Sequence, residues 1–147
     1  MDAVCDVTGI PEKFTGVPSG HRAVQLWDSG TQHYFLSLFC RPLRTTPCEC
    51  ERASGASISQ ALHLMNSPAI HRKLGHHNGR IARLFDSHAD TASVIEELYL
   101  AAFTRFPSAE ERANAMQYFR ERPDKRQAAA EDLLWSMLNS IEFVFNH

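Results

Sequence analysis

Apolar residues recur at intervals of three and four along the last two thirds of the chain. The clearest run occupies relative positions 0, 3, 4, 7, 8 and 11, with Ala130, Leu133, Leu134, Met137, Leu138 and Ile141. Because an α-helix has about 3.6 residues per turn, this spacing places the six side chains on one face. Shorter runs around Ile58, Ile70, Ile81, Val94 and Met116 each predict another helix.

The apolar positions of these helices predict one shared hydrophobic core. Its expected members are Leu62, Met65, Ile70, Leu84, Val94, Leu98, Phe103, Met116, Phe119, Leu134, Met137 and Ile141. The residues that precede each run predict the helix starts, because short polar side chains accept hydrogen bonds from the first free backbone N–H groups. The predicted starts are Ser67 ahead of Pro68, Asp90 or Thr91, Ser108 with Glu111 as a capping box, and Asp124.

One short pattern occurs twice. An apolar pair followed by Asn-Ser and a new apolar run is found at residues 64–70 and again at 137–143. It indicates a helix that stops and restarts, since Ser is a good residue to cap the next helix. The last helix is therefore expected either to continue to the C-terminus or to kink at Asn139 and Ser140.

The first third of the chain has a different character. Gly and Pro interrupt it repeatedly, so residues 1–53 are expected to be irregular and residues 54–147 helical, within one domain or domain fragment. Residues 2–8 resemble the last turns of a helix that stops at Gly9, and this suggests a missing N-terminal portion. The alternation in residues 22–26 is a weak signal for one short strand. The fold class predicted is mostly α, an irregular helix bundle with a Pro/Gly-rich N-terminal third.

Composition and charge narrow the function classes. The 147 residues are 44% hydrophobic, with a net charge of −2, which excludes a disordered tail and binding to nucleic acid through bulk positive charge. No stretch approaches the roughly 18–20 apolar residues of a membrane span. The first residues lack the basic and apolar regions of a signal peptide.

Two cysteines give the chain its most unusual string. Cys48 and Cys50 are separated by one residue, and with His63 they form a hypothetical metal site. The usual spacings of structural zinc ligands are absent, so the competing interpretation is a pair of structural thiols. A disulfide between Cys40 and Cys48 is a further alternative if the protein lies in an oxidising compartment.

A second candidate is a basic cluster that could bind an anion. It consists of His71, Arg72, Lys73, His76, His77 and Arg80. The competing interpretation is a solvated turn between two helix ends, which is a common place for charged residues.

Known catalytic constellations are missing from the sequence. It has no nucleophile elbow, phosphate-binding glycine loop or zinc-protease helix. Trp27 and Trp135 suggest a sugar-binding or hydrolytic domain, although Trp135 on an apolar helix favours the core or an interface. No cofactor is expected, and a non-catalytic domain is favoured over an enzyme.

A set of strings in fixed order resembles a known family. They are 7–12 (VTGIPE), 22–26 (RAVQL), 39–42 (FCRP) leading into 48–52 (CECER), 60–68 (QALHLMNSP), 79–80 (GR), 97–100 (ELYL), and 133–135 (LLW) through 139–140 (NS) to 145–147 (FNH). Together they are similar to the planctomycete-specific domain of unknown function. One departure is Cys40, where the family pattern has Gly, so Cys40 is a poor candidate for a shared ligand.

The resemblance carries several expectations. Family members are exported, often with a planctomycete cytochrome c domain upstream, and this chain matches their C-terminal part. It implies no catalytic residues, and no haem for this chain. We therefore expect a non-catalytic packing or interaction module of a larger exported protein, whose partner is an upstream domain, with self-association through apolar surface as a further option. The alternative is a metal- or redox-linked enzyme fragment using Cys48 and Cys50.

Overall fold

The computed structural model describes residues 1–26, 33–38 and 65–146. The α-helices there are α1 (Asp2–Thr8), α2 (Tyr34–Leu38), α3 (Pro68–Leu74), α4 (Arg80–Asp86), α5 (Thr91–Phe103), α6 (Ala109–Arg120), α7 (Arg126–Leu138) and α8 (Ile141–Asn146). Two 3-10 turns, Ala23–Gln25 and Pro123–Lys125, separate some of them. The prediction of a mostly α fold is confirmed. Within the described ranges, every helix is too short or too polar to cross a lipid bilayer.

Helices α5 and α7 form the centre of the bundle. α5 contacts α1, α6, α7 and α8, and α7 contacts α3, α4, α5, α6 and α8. Val94, Ile95, Leu98 and Leu134 have no exposed surface. Full burial of such side chains stabilises the fold by about 1.5–3 kcal/mol each. The two central helices therefore hold most of the structure together.

Two of the predicted helix starts form the expected caps. The Asp90 carboxylate accepts a hydrogen bond from the backbone N–H of Ser93 at 2.9 Å. At α6, the Ser108 hydroxyl accepts from the Glu111 N–H at 3.2 Å, and the Glu111 carboxylate accepts from the Ser108 N–H at 2.7 Å. The capping box is confirmed, and Asp90 rather than Thr91 caps α5.

The predicted cap at Asp124 is wrong. Asp124 lies inside the 3-10 turn Pro123–Lys125, and α7 begins after it at Arg126. Pro123 starts the turn because its ring fixes the backbone φ angle. Asp124 is thereby already inside a helical turn, where it cannot take the extended conformation of a capping residue.

The break at Asn139 and Ser140 is confirmed and changes the core. The Ser140 hydroxyl accepts from the Phe143 N–H at 3.1 Å, and α8 starts a new register. Ile141 is consequently 77% exposed, and its predicted place in the core is wrong, while Phe143 is buried instead.

Most other core predictions that fall on described residues are confirmed. Buried as predicted are Ile70, Val94, Leu98, Phe119, Leu134 and Met137, while Leu84, Phe103 and Met116 are partly buried. Met65 is 45% exposed, so its assignment to the core is also wrong. The helix that contains Met65 ends before Ser67. The helical spacing that predicted an inward-facing Met65 stops at this break. Leu62 lies outside the described residues.

The N-terminal segment is attached by both apolar and polar contacts. Val4 and Val7 of α1 join the core, and Gly9 ends the helix with a φ of 72°, as predicted. The strand predicted at 22–26 is wrong, because residues Ala23–Gln25 form a 3-10 turn. The Asp2 carboxylate accepts from the N–H groups of Ala23 and Val24 at 2.7 and 2.9 Å, so these donors are already used.

Candidate functional site

Two members of the predicted basic cluster hold the N-terminal segment in place. Lys73 is buried, and its ammonium donates to the carbonyls of Ile10 and Pro11 at 3.0 Å each. It also lies 3.3 Å from the Glu12 carboxylate. The Arg80 guanidinium donates to the Val7 carbonyl at 2.7 Å and to the Asp6 carbonyl at 3.0 Å. Both side chains therefore have a structural role, because these bonds join residues that are far apart in the sequence.

The other cluster members lie in different surroundings. His71 stacks on the Trp135 ring, with centroids 6.2 Å apart. His76 and His77 stack on each other at 4.5 Å, and Arg72 is exposed. The structure thus distributes the six residues over several contacts, and anion binding by them stays a prediction.

The candidate metal ligands Cys48, Cys50 and His63, together with Cys40 and Trp27, lie outside the described residues. Within the described ranges, no group of three or more His, Cys, Asp or Glu side chains is placed to hold a metal ion. The hypothesis of a site at Cys48 and Cys50 stays a prediction, and metal analysis of the purified protein decides it. Cys5 is described; burial raises the pKa of its thiol, which makes it a weak nucleophile at neutral pH.

Arg105 joins three parts of the fold through two carboxylates. Its guanidinium donates two hydrogen bonds to Glu111 and two to Glu142, all at 2.8 Å. It also lies over the rings of Tyr99 and Phe103, 5.7 and 5.3 Å from their centroids. We call Arg105, Glu111 and Glu142 the Arg105 hub. It fixes the loop after α5 to the start of α6 and to α8.

The hydrogen bonds of the hub also lower the pKa values of its two acids. Hydrogen bonds from Arg105, and then from the Ser108 backbone, lower the pKa of Glu111 to about 2. Hydrogen bonding to Arg105 likewise lowers the pKa of Glu142. Both carboxylates are therefore charged in any neutral solution, so neither is poised to act as a general acid.

Exposed apolar side chains flank the hub. Phe106 follows Arg105 and is 61% exposed, while Ile141 precedes Glu142 and is 77% exposed. Val144, one helical turn after Ile141, is 39% exposed. The Arg105–Glu142 pair joins the loop to α8, and Phe106 and Ile141 each lie next in sequence to one member of that pair. We call Phe106, Ile141 and Val144 the C-terminal patch.

A second surface feature is a depression of about 660 Å³ between α5, α6 and α7. We call it the aromatic groove; it is lined by Tyr99, Glu111, Asn114, Ala115, Tyr118, Asp132, Leu133, Trp135 and Ser136. The Tyr118 hydroxyl donates to the Asp132 carboxylate at 2.8 Å, and this bond raises the pKa of Tyr118. A smaller depression of about 300 Å³ shares Asp132 and Trp135 and adds His71, Leu74 and Glu131.

Only part of these surfaces is predictable from the sequence. Trp135 and His71 are candidates by residue type, whereas Tyr118 and Asp132 lie on different helices and meet only after packing. Ile141 was predicted in the core because the helical spacing continues through the break. The signal that could have corrected this is Ser140, whose capping role resets the register.

Of the comparisons with known proteins, the family model gives a match. Comparison with curated proteins found no match, and comparison with solved structures found none either. A family model described as PSD1, protein of unknown function (DUF1553), matches residues 14–119. The match covers well over half of the 147 residues and confirms the resemblance seen in the ordered strings. The chain belongs to the PSD1 family of proteins of unknown function.

Proposed function

We propose that this domain is a non-catalytic interaction module that packs against another domain of a larger exported protein through the C-terminal patch. The observation that supports it is the exposure of Phe106, Ile141 and Val144 near the Arg105 hub. Groups of exposed large apolar side chains are typical of an interaction surface. Covering them would contribute in proportion to the apolar area removed from water, about 25 cal/mol per Å².

The Arg105 hub suits the patch to this role. Two hydrogen bonds join the loop to α8 and two join it to α6, and a surface ordered in this way loses less conformational entropy when a partner binds. The partly exposed charges of Arg105 and Glu142 lie next to the apolar residues. An apolar centre with a polar rim is the usual anatomy of a protein interface.

Hydrogen exchange tests the proposed packing. Hydrogen exchange is measured on the 147-residue chain alone and again on a full-length protein that contains it. Where the partner domain is encoded separately, it is mixed with the chain instead. We expect slower exchange of α8 and of residues 104–108 when the partner domain is present. Unchanged exchange at both segments would contradict the proposal.

A pair of matched variants ties the effect to the patch. Ile141→Asp puts a charge at the most exposed residue of the patch, whereas Val24→Asp puts one at an equally exposed apolar residue, 79% exposed, in the first 3-10 turn. Ile141→Asp should remove the protection and Val24→Asp should preserve it. The alternative is that a second copy of the chain covers the patch. Light scattering after size exclusion distinguishes it, because a self-associating chain would become monomeric with Ile141→Asp and not with Val24→Asp.

The exported location belongs to the same proposal and is supported by the family resemblance. Fractionation of cells that produce the full-length protein tests it with an antibody against this domain. We expect the domain outside the cytoplasm, and a purely cytoplasmic signal would contradict this part of the proposal.

A further inference from the structure

The aromatic groove contains a carboxylate that no described cation neutralises. Asp132 takes part in none of the ion pairs of the described residues. Its one hydrogen bond comes from the neutral Tyr118 hydroxyl. Lys, Arg and His are absent from the described residues that line the groove. The charge of Asp132 is therefore open to a ligand.

The other acids near the groove differ from one another in the groups that bind their carboxylates. Glu111 also lines it, but Arg105 binds both of its carboxylate oxygens. Glu131 lines the smaller depression beside Asp132, and the hydrogen bond it receives comes from the neutral side chain of Gln127. The surface at Asp132 is consequently negative, and anionic ligands are disfavoured there.

Aromatic rings form the rest of the recognition surface. Tyr99, Tyr118 and Trp135 line the groove, and aromatic faces attract cations through their negative π surface. Tyr118 already does so within the chain, because the Arg122 guanidinium carbon lies 3.9 Å from its ring centroid. Arg122 is not a lining residue, and its charge is shared with the Glu121 carboxylate at 3.7 Å.

We propose that the aromatic groove binds an organic cation, an alkylammonium group paired with Asp132 and packed against Trp135 and Tyr118. Its volume of about 660 Å³ lies in the range of small-ligand sites. A purely apolar ligand would desolvate the Asp132 charge without compensation. The cation is either a free amine or a lysine side chain of a polypeptide. This inference concerns a different surface from the C-terminal patch and does not depend on it.

The indole N–H resonance of Trp135 reports binding directly. The chain has two Trp, so the titration is done in the Trp27→Phe variant, which leaves Trp135 as the one indole signal. The probes are butylammonium and a lysine-containing pentapeptide. Their neutral controls are butanol and the same peptide with norleucine in place of lysine.

We expect saturable shifts with a cationic probe and none with its neutral control. Asp132→Asn should weaken binding about tenfold, since an ionised acceptor strengthens such a bond by this order. The variant keeps an oxygen for Tyr118 and changes an exposed residue. Asp86→Asn, at an exposed acid that does not line the groove, should leave the affinity within twofold.

The two cationic probes distinguish the sources of the ligand. Saturation by butylammonium assigns a free-amine site, and saturation by the peptide alone assigns a lysine side chain of a polypeptide. Equal shifts with butanol and butylammonium would overturn the proposal. So would the lack of a saturable shift with either cation, or an Asp132→Asn affinity within twofold of the parent.

Discussion

The N-terminal segment, residues 1–26, and the helices α5–α8 are held in the same bundle by different means. α5 and α7 contribute fully buried apolar side chains such as Leu98 and Leu134. The N-terminal segment buries fewer such side chains, and it is also held by polar anchors to its backbone, with Lys73 bound beyond α1 and Arg80 bound to α1 itself. Apolar burial is non-directional and shared among many residues, whereas each of these polar anchors is local and specific.

The difference suggests that the two regions open separately. Segments with few buried apolar contacts exchange through local unfolding, while a packed core opens only with the whole domain. Variants that weaken one region at a time therefore show whether the other region responds.

Truncation at the centre of the core should have the largest effect. Leu134→Ala removes a side chain with no exposed surface and should lower the free energy of unfolding by about 2–5 kcal/mol. Urea unfolding followed by circular dichroism measures it. Both regions should be destabilised together, because α7 contacts most of the other helices. Val24→Ala, at an exposed apolar residue, is the control, and a loss below about 1 kcal/mol for Leu134→Ala would contradict the central role of α7.

Removing the Lys73 anchor should have a smaller and more local effect. Lys73→Met keeps the apolar stem but leaves the carbonyls of Ile10 and Pro11 without their donor. We expect about 2 kcal/mol of destabilisation and faster hydrogen exchange confined to the N-terminal segment. Lys125→Met, at an exposed lysine, should change neither quantity. Equal acceleration in α5 and α7 would show that the two regions open as one unit.

The same contrast explains how much of the molecule could be predicted from its sequence. The helices around Val94 and Leu134 were predictable because apolar spacing is a local signal, and for the Val94 helix the cap Asp90 is a second one. The 3-10 turn at residues 23–25 was not, since Asp2 captures its N–H groups from about 20 residues away in sequence. Of the surfaces, Trp135 was visible, but the Tyr118–Asp132 pair and the exposure of Ile141 depend on packing and on a helix break.

Acid should weaken the helical region through the Arg105 hub. The pKa of Glu111 is lowered from 4.5 to about 2, and that of Glu142 is also lowered. For an acid with a depressed pKa in the folded state, the stabilisation is fully present above the unfolded value. It is lost as the pH falls from about 4.5 towards 2.

Urea midpoints measured at pH 6, 4 and 3 test this dependence. The parent should lose stability over this interval, and Arg105→Gln should lose less of it, since the variant lacks the charge that holds both acids ionised. The pairs are partly exposed, with 39% of the Arg105 side chain accessible, so solvent screening keeps the effect modest. Parallel pH profiles for the two proteins would contradict the hub's role.

The smallest expected effect separates a true cap from a false one. Asp90→Ala removes the acceptor of the Ser93 N–H and should cost about 1 kcal/mol. Asp124→Ala, at the residue that the sequence predicted as a cap, should change stability by less than about 0.5 kcal/mol, because Asp124 lies within a 3-10 turn and is exposed. Chemical denaturation of both variants measures the difference. A loss for Asp124→Ala as large as that for Asp90→Ala would contradict the start of α7 at Arg126 and show that Asp124 caps the helix.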